Sequence, residues 1–407
     1  MPTKVSTEPT TSVSGSWIAR LSSAVLGFWV VVLTPIQVLL PLQIEQLSPA
    51  SKESDLALVT AAAAIVSILA APIAGALSDR TTSRFGRRRP WILAGAVVCA
   101  LALAALPVQA GVLGVAVCWM IAQGAQNSML AALNATVPDQ VPVRQRGTVS
   151  AFVGLPAPLG LVLGVLLVTV VVTGRGAAYL TLAALLLILV LPFVLTTRDE
   201  PLRAAQRPPF SFRDFWISPR RHPDFAWAAI SRLAIQLANS IGTLYLLYFL
   251  RDAVRVPDPA TGVFVLTLLY TGGILTTSVF AGRWSDRTGR RKIFVLVSSC
   301  VIAAAMLVLA LWQTWPAVMI AAALLGLGYG VYVAIDNALI TQVLPDATGR
   351  AKDLGVINIA NTASQAFAPL VAGGVIALLH SYQVLYLLAG AIALAGAALI
   401  RPIRSVT

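Results

Sequence analysis

Twelve stretches of this chain are continuously apolar over the length of a membrane crossing. They fall near residues 18–43, 56–77, 90–109, 111–136, 147–173, 177–196, 225–250, 260–282, 292–313, 316–341, 353–379 and 382–400. A hydrocarbon core of about 30 Å takes roughly 20 apolar residues per helical crossing. Barrel strands are short and alternating, so continuous runs predict helices. Composition agrees, with 58% hydrophobic residues, 11% charged residues and a mean hydropathy of +0.84. A soluble domain of this mass could not conceal that much apolar surface. The expected fold class is an all-α integral membrane protein with twelve transmembrane helices.

The charge left over is distributed unevenly. Arg80, Arg84, Arg87, Arg88 and Arg89 follow the second run, and Arg144 and Arg146 follow the fourth. Six arginines lie in 197–224, a basic stretch from Arg283 to Lys292 follows the eighth run, and Arg401 and Arg404 follow the twelfth. The alternate connections hold Lys52, Arg175, Arg251 and Arg255, offset by Glu45, Glu53, Asp55, Asp252 and Asp258. Lys and Arg accumulate on the cytoplasmic side, so even-numbered helices end inside and both termini are cytoplasmic. The net charge of +13 then follows from orientation, and nucleic acid is not an expected partner.

These breaks predict a disordered cytoplasmic tail over 1–17, a six-helix bundle over 18–196 and a cytoplasmic linker over 197–224. A second six-helix bundle over 225–401 and a tail over 402–407 complete the chain. The linker, rich in Pro and Arg, could carry a short interfacial helix near Phe212–Ile217. Cys99, Cys118 and Cys300 all sit inside apolar runs without metal-ligand spacing, so no metal site or cofactor is expected. Hydrolase, metalloprotease and nucleotide-binding signatures are absent, which argues against an enzyme.

The two halves repeat. Asp79 in "SDRTTSRFGRRRP" and Asp286 in "SDRTGRRK" are 207 residues apart, and so are Asp139 of "VPD" and Asp346 of "LPD". Parallel six-helix repeats are a design of alternating-access transporters.

The doubled loop G-x-x-S-D-R…G-R-R-(R/K) resembles the signature of the major facilitator superfamily. Its expanded first copy, with "LTPIQ" at 33–37 and "DLGVINIANTASQ" at 353–365, is similar to sucrose transporters and glycoside–cation symporters. The resemblance implies two bundles related by pseudo-two-fold symmetry around a central cavity. It also implies a protein of the cell membrane. Plant-type sucrose symporters carry an acid and an arginine in helix 4. Here those places hold Gln123 and Asn134, so the resemblance does not extend to that coupling pair.

The doubled loops are candidate gates. Asp79 and Asp286 can accept from helix-terminal amides or from arginine. Arg87, Arg88, Arg290 and Arg291 can reach Asp139 and Asp346. Arg80, Arg146 and Arg287 add charge beside them, and Gly86 and Gly289 permit tight turns. The alternative is that these arginines only fix topology and bind anionic lipid heads.

Polar groups inside a membrane helix are expensive and mark function. Asp336 in "GLGYGVYVAIDNAL" and Arg232 in "WAAISRLAIQLANS" lie at similar depth. The superfamily places helices 7 and 10 in one bundle facing the cavity, which implies an Arg232–Asp336 pair. Such a pair is either structural or a proton-coupling switch. Gln123, Gln126, Asn127, Asn134, Gln236, Asn239, Tyr245, Tyr332, Asn358 and Asn361 are candidate substrate residues, with Tyr248, Tyr270, Tyr329, Asn337 and Gln365 nearby. Amides and tyrosines suit a neutral, hydroxyl-rich solute, although each can equally bond between helices.

The expected function is proton-coupled uptake of a neutral sugar or glycoside-like solute by a monomer in a membrane with anionic lipids. The alternative is proton-driven efflux of a drug-like or secondary metabolite.

Overall fold

The computed structural model describes residues 11–172, 174–197, 199, 223–288, 291–343 and 350–403. Side chains of 279, 282, 283, 286, 337–343 and 350–362 are not described. Most of the 197–224 linker, with its expected interfacial helix, therefore lies outside the described residues.

Each of the twelve apolar runs coincides with a helical segment. They are α1 Gly15–Leu47, α2 Lys52–Asp79, α3 Arg89–Val108, α4 Val112–Gln140, α5 Val143–Val171 and α6 Arg175–Thr196. The second half holds α7 in two pieces, Pro223–Leu244 and Leu246–Val254. It continues with α8 Pro259–Thr288, α9 Arg291–Leu311, α10 Trp315–Val343, α11 Arg350–Leu379 and α12 Tyr382–Ala398. Among the described residues no strand occurs. Among the described residues, eight helices are long and apolar enough to cross a membrane, and α7 makes a ninth if its two pieces count as one span. The exposed side chains are those of a lipid-facing surface, with Leu101 and Ile188 each 65% exposed. That surface is stable only if hydrocarbon covers it.

Local chemistry sets the ends and bends. Ser14 Oγ accepts from the Trp17 amide at 3.2 Å and opens α1. Pro35 has no amide to donate, and α1 widens into a π-helical turn over Pro35–Leu39. α7 bends by 47° at Tyr245. Just before the bend, Thr243 Oγ1 donates back to the carbonyls of Asn239 and Ser240 at 3.2 and 3.3 Å. Such back-bonding competes with the helix ladder and bends helices.

The chain forms two compact units. One comprises Met1–Pro35 and Val66–Phe210, and the other Ile36–Ile65 and Ser211–Thr407. In the first, α3 packs on α4 and α6, and α1 packs on α5 and α6. In the second, α9 packs on α10 and α12, and α7 packs on α11 and α12. The same pairings recur six helices later, as a sequence repeat requires. The second unit adds a broad α8–α10 contact made by small residues. A Cβ on Gly326 would overlap the Tyr270 carbonyl, and one on Gly330 would lie 2.7 Å from Ile274 Cα. This Gly-x-x-x-Gly spacing brings two backbones together where lipid supplies no hydrophobic drive.

Candidate functional site

One polar cluster among the described residues lies in the second unit and is built from α7, α8 and α10. Arg232, Gln236 and Asn239 recur at helical spacing on one face of α7. Opposite them on α10 stand Tyr329, Tyr332 and Asp336. Arg232 Nη1 sits 2.7 Å from Asp336 Oδ2, and Tyr332 Oη donates to Asp336 Oδ1 at 3.0 Å. Tyr270 of α8 donates to Asn239 Oδ1 at 3.2 Å and stacks on Tyr329, with centroids 6.0 Å apart and planes inclined by 22°. Tyr329 hydrogen-bonds to Gln236 and lies 6.0 Å from the Tyr332 ring. The cluster combines an ion pair, three phenol rings and two amides.

The amides expected in α4 are arranged differently. Gln126 Nε2 donates to Gln123 Oε1. Asn127 Nδ2 reaches the Gln123 carbonyl at 2.9 Å and Ser67 Oγ of α2 at 3.0 Å. Gln123 and Gln126 are buried, whereas Asn134 is exposed. Tyr245 is buried at the α7 break and donates to the Glu53 carbonyl at 3.0 Å. Asn358 and Asn361 lie outside the described side chains.

The α2–α3 loop forms a second site, in the first unit. Asp79 ends α2 and Asp139 lies in the last turn of α4, so both carboxylates sit on helices rather than in connections. Arg88 is only 4% exposed, and its guanidinium has three partners: Asp79 at 2.5 Å, Asp139 at 2.9 Å and Ser78 Oγ at 2.9 Å. Arg87 joins Asp139 at 2.6 Å. Burial opposes the charge on Arg88, but Asp139 and then Asp79 outweigh it and hold its pKa above the ordinary arginine value. Arg146 instead donates to the carbonyls of Val141 and Pro138, closing the end of α4. Arg80 is half-buried beside the cluster. In the second copy, Arg287 is exposed in the last turn of α8 and Arg291 is half-buried at the start of α9. Asp286, Gly289, Arg290 and Asp346 lie outside what the structure describes.

A third cluster, which sequence reasoning missed, surrounds the first turn of α2 within the second unit. Lys52 Nζ lies 3.2 Å from Glu45 and 2.8 Å from Asp252, and 5.0 Å from the centre of the Tyr248 ring. Arg251 also pairs with Glu45. Tyr382 Oη is 3.1 Å from Asp252 Oδ2 and 3.4 Å from Glu53 Oε1. The only sequence signal was a near balance of opposite charges in these connections, which says nothing about partners 200 residues apart.

A description of protein family, MFS/sugar transport protein, matches residues 53–398, most of the chain. The chain belongs to that family. Among individual proteins, this MFS transporter is 29% identical over 131 residues to the uncharacterized MFS-type transporter YfiU of Bacillus subtilis (strain 168). That match covers 32% of this chain and about a quarter (25%) of the relative's length.

Three solved structures share the fold. A POT family transporter in complex with 5-aminolevulinic acid matches with a TM-score of 0.75 at 13% identity, covering 97% of each chain. The nucleoside transporter NupG gives 0.72 at 14% identity, over 95% of this chain and 99% of that one. The human organic anion transporter MFSD10 (TETRAN) gives 0.67 at 18% identity, over 94% and 98%. The family match places the chain among MFS/sugar transport proteins, and the three structures show that it shares the major facilitator fold.

Proposed function

We propose that the protein is a secondary transporter working by alternating access, and that it takes up a neutral sugar or glycoside-like solute with protons. The observation that carries this reading is the Arg232–Asp336–Tyr332 cluster, joined to Tyr270, Tyr329, Gln236 and Asn239. Phenol faces and amides are the groups that hold a hydroxylated ring. The buried pair can supply coupling. A carboxylate stripped of its cation in a low-dielectric site takes up a proton, so movement that separates Asp336 from Arg232 links protonation to conformation. The loop clusters around Asp79 and Lys52 can hold alternate ends of α2 in place by breakable ion pairs. In this reading both termini are cytoplasmic, the protein acts as a monomer in the cell membrane, and the halves are the six-helix bundles 18–196 and 225–401.

Efflux of a drug-like metabolite is the second reading. It is favoured by the pairing of Gln123, Gln126 and Asn127 with one another and with Ser67, which leaves α4 less polar toward a solute.

The deciding experiment reconstitutes the purified protein in liposomes with an acid-outside gradient and screens radiolabelled sugars, glycosides, nucleosides and antibiotics by counterflow. Saturable counterflow of a sugar or glycoside, concentrated only with the gradient, supports uptake. Counterflow confined to amphipathic antibiotics supports efflux, and sugar accumulation indifferent to the gradient overturns proton coupling.

A further inference from the structure

The gate reading of the α2–α3 loop leaves one contact unused. Asp199 follows α6, in the first residues of the segment that joins the two halves. Its Oδ2 accepts from the Arg88 amide at 2.6 Å and from the Arg89 amide at 2.9 Å. These are the amides of the α3 N-cap residue and of its first helical residue, a place where a carboxylate is favoured by both hydrogen bonding and the helix dipole. The loop is shaped around this carboxylate. Gly86 has φ +96°, and a Cβ there would fall on the Asp199 carboxyl group. A side chain at 86 would therefore be strained by the backbone and would also expel Asp199. Arg88 is held from two directions, its backbone by Asp199 and its guanidinium by Asp79, Asp139 and Ser78.

We propose that Asp199 is a positioning residue of the signature loop, latching the start of the inter-half segment into the Gly86–Arg89 turn and so setting Arg88 between Asp79 and Asp139. The latch adds Asp199 to the gate, because the Arg88 and Arg89 amides lose their acceptor when it leaves. It also gives Gly86 a role beyond turning the chain. This deepens the gate reading and rests on it for its meaning in transport, but the contact itself is testable without a substrate.

The test is hydrogen–deuterium exchange of the full chain in nanodiscs, comparing wild type with Asp199→Ala, Asp199→Asn and Gly86→Ala. Peptides from α6 and α9 report whether the fold persists. The expected result is that the 86–89 amides exchange at least tenfold faster in Asp199→Ala. Asp199→Asn should fall between, since its carbonyl still accepts without the charge. In thermal unfolding, Gly86→Ala should lower the midpoint more in wild type than in the Asp199→Ala background, where the displaced carboxylate is gone. Unchanged exchange at 86–89 in Asp199→Ala, or equal Gly86→Ala effects in both backgrounds, overturns the latch. If Asp199→Ala loosens every peptide, Asp199→Asn decides by whether its change is confined to 86–89. A loop that responds as expected in a protein that fails every transport screen would leave the latch standing and remove the transport reading alone.

Discussion

Arg232 and Asp336 meet at 2.7 Å between α7 and α10, with side chains only 10% and 11% exposed. Two charges so far from water hold together only because each compensates the other.

Removing one partner is therefore worse than removing both. Arg232→Ala should destabilise the protein by about 3–5 kcal/mol, the range for stranding one member of a buried pair. The double variant Arg232→Gln, Asp336→Asn should recover most of the loss. Thermal unfolding in detergent checks this, and equal loss in single and double variants would show that the pair is not coupled.

If the same pair couples protons to transport, Asp336→Asn should lose gradient-driven accumulation yet keep counterflow exchange. Flux assays with and without a pH gradient in liposomes measure both. An unchanged pH dependence removes Asp336 from coupling.

At the signature loop, Asp79→Ala should abolish transport while membrane insertion and yield stay normal. Arg88 would keep Asp139 and Ser78, so the fold survives while one breakable contact of the gate is lost. Normal flux through this variant would sink the gate.

Gly326→Ala should separate α8 from α10, because the added methyl meets the Tyr270 carbonyl rather than a movable side chain. Overpacking of this kind costs typically 1–3 kcal/mol. Because Tyr270 also stacks on Tyr329, substrate-stabilised melting should weaken in parallel. Wild-type melting with and without a transported solute would contradict this.

Asp258 caps α8, accepting from Thr261 Oγ1 and from the Ala260 and Thr261 amides. The Thr261 hydroxyl chiefly holds its pKa below the ordinary aspartate value. A depressed folded value means that the cap's contribution is complete above the unfolded pKa and disappears as pH falls through the folded one. Exchange of the Ala260 and Thr261 amides, corrected for intrinsic rates, should stay slow at neutral pH and accelerate only in that acid range. Asp258→Asn should flatten the profile.

The twelve helices and the repeat were legible because both are written in local chemistry. Continuous apolar length specifies a helix in lipid whatever its neighbours, and equal spacing of Asp79 with Asp286 and Asp139 with Asp346 needs only counting. The polar positions 232, 236, 239, 332 and 336 could be marked as functional for the same reason, since each stands out against an apolar run. What the sequence could not decide is which polar group meets which. Gln123 and Gln126 looked like Gln236 and Asn239 in composition, yet the former bond to each other and the latter face tyrosines. Lys52 with Asp252, and Asp199 with the amides of Arg88 and Arg89, join residues more than a hundred positions apart. Their pairing energy depends on distances of a few ångströms, and those distances exist only once the helices have packed.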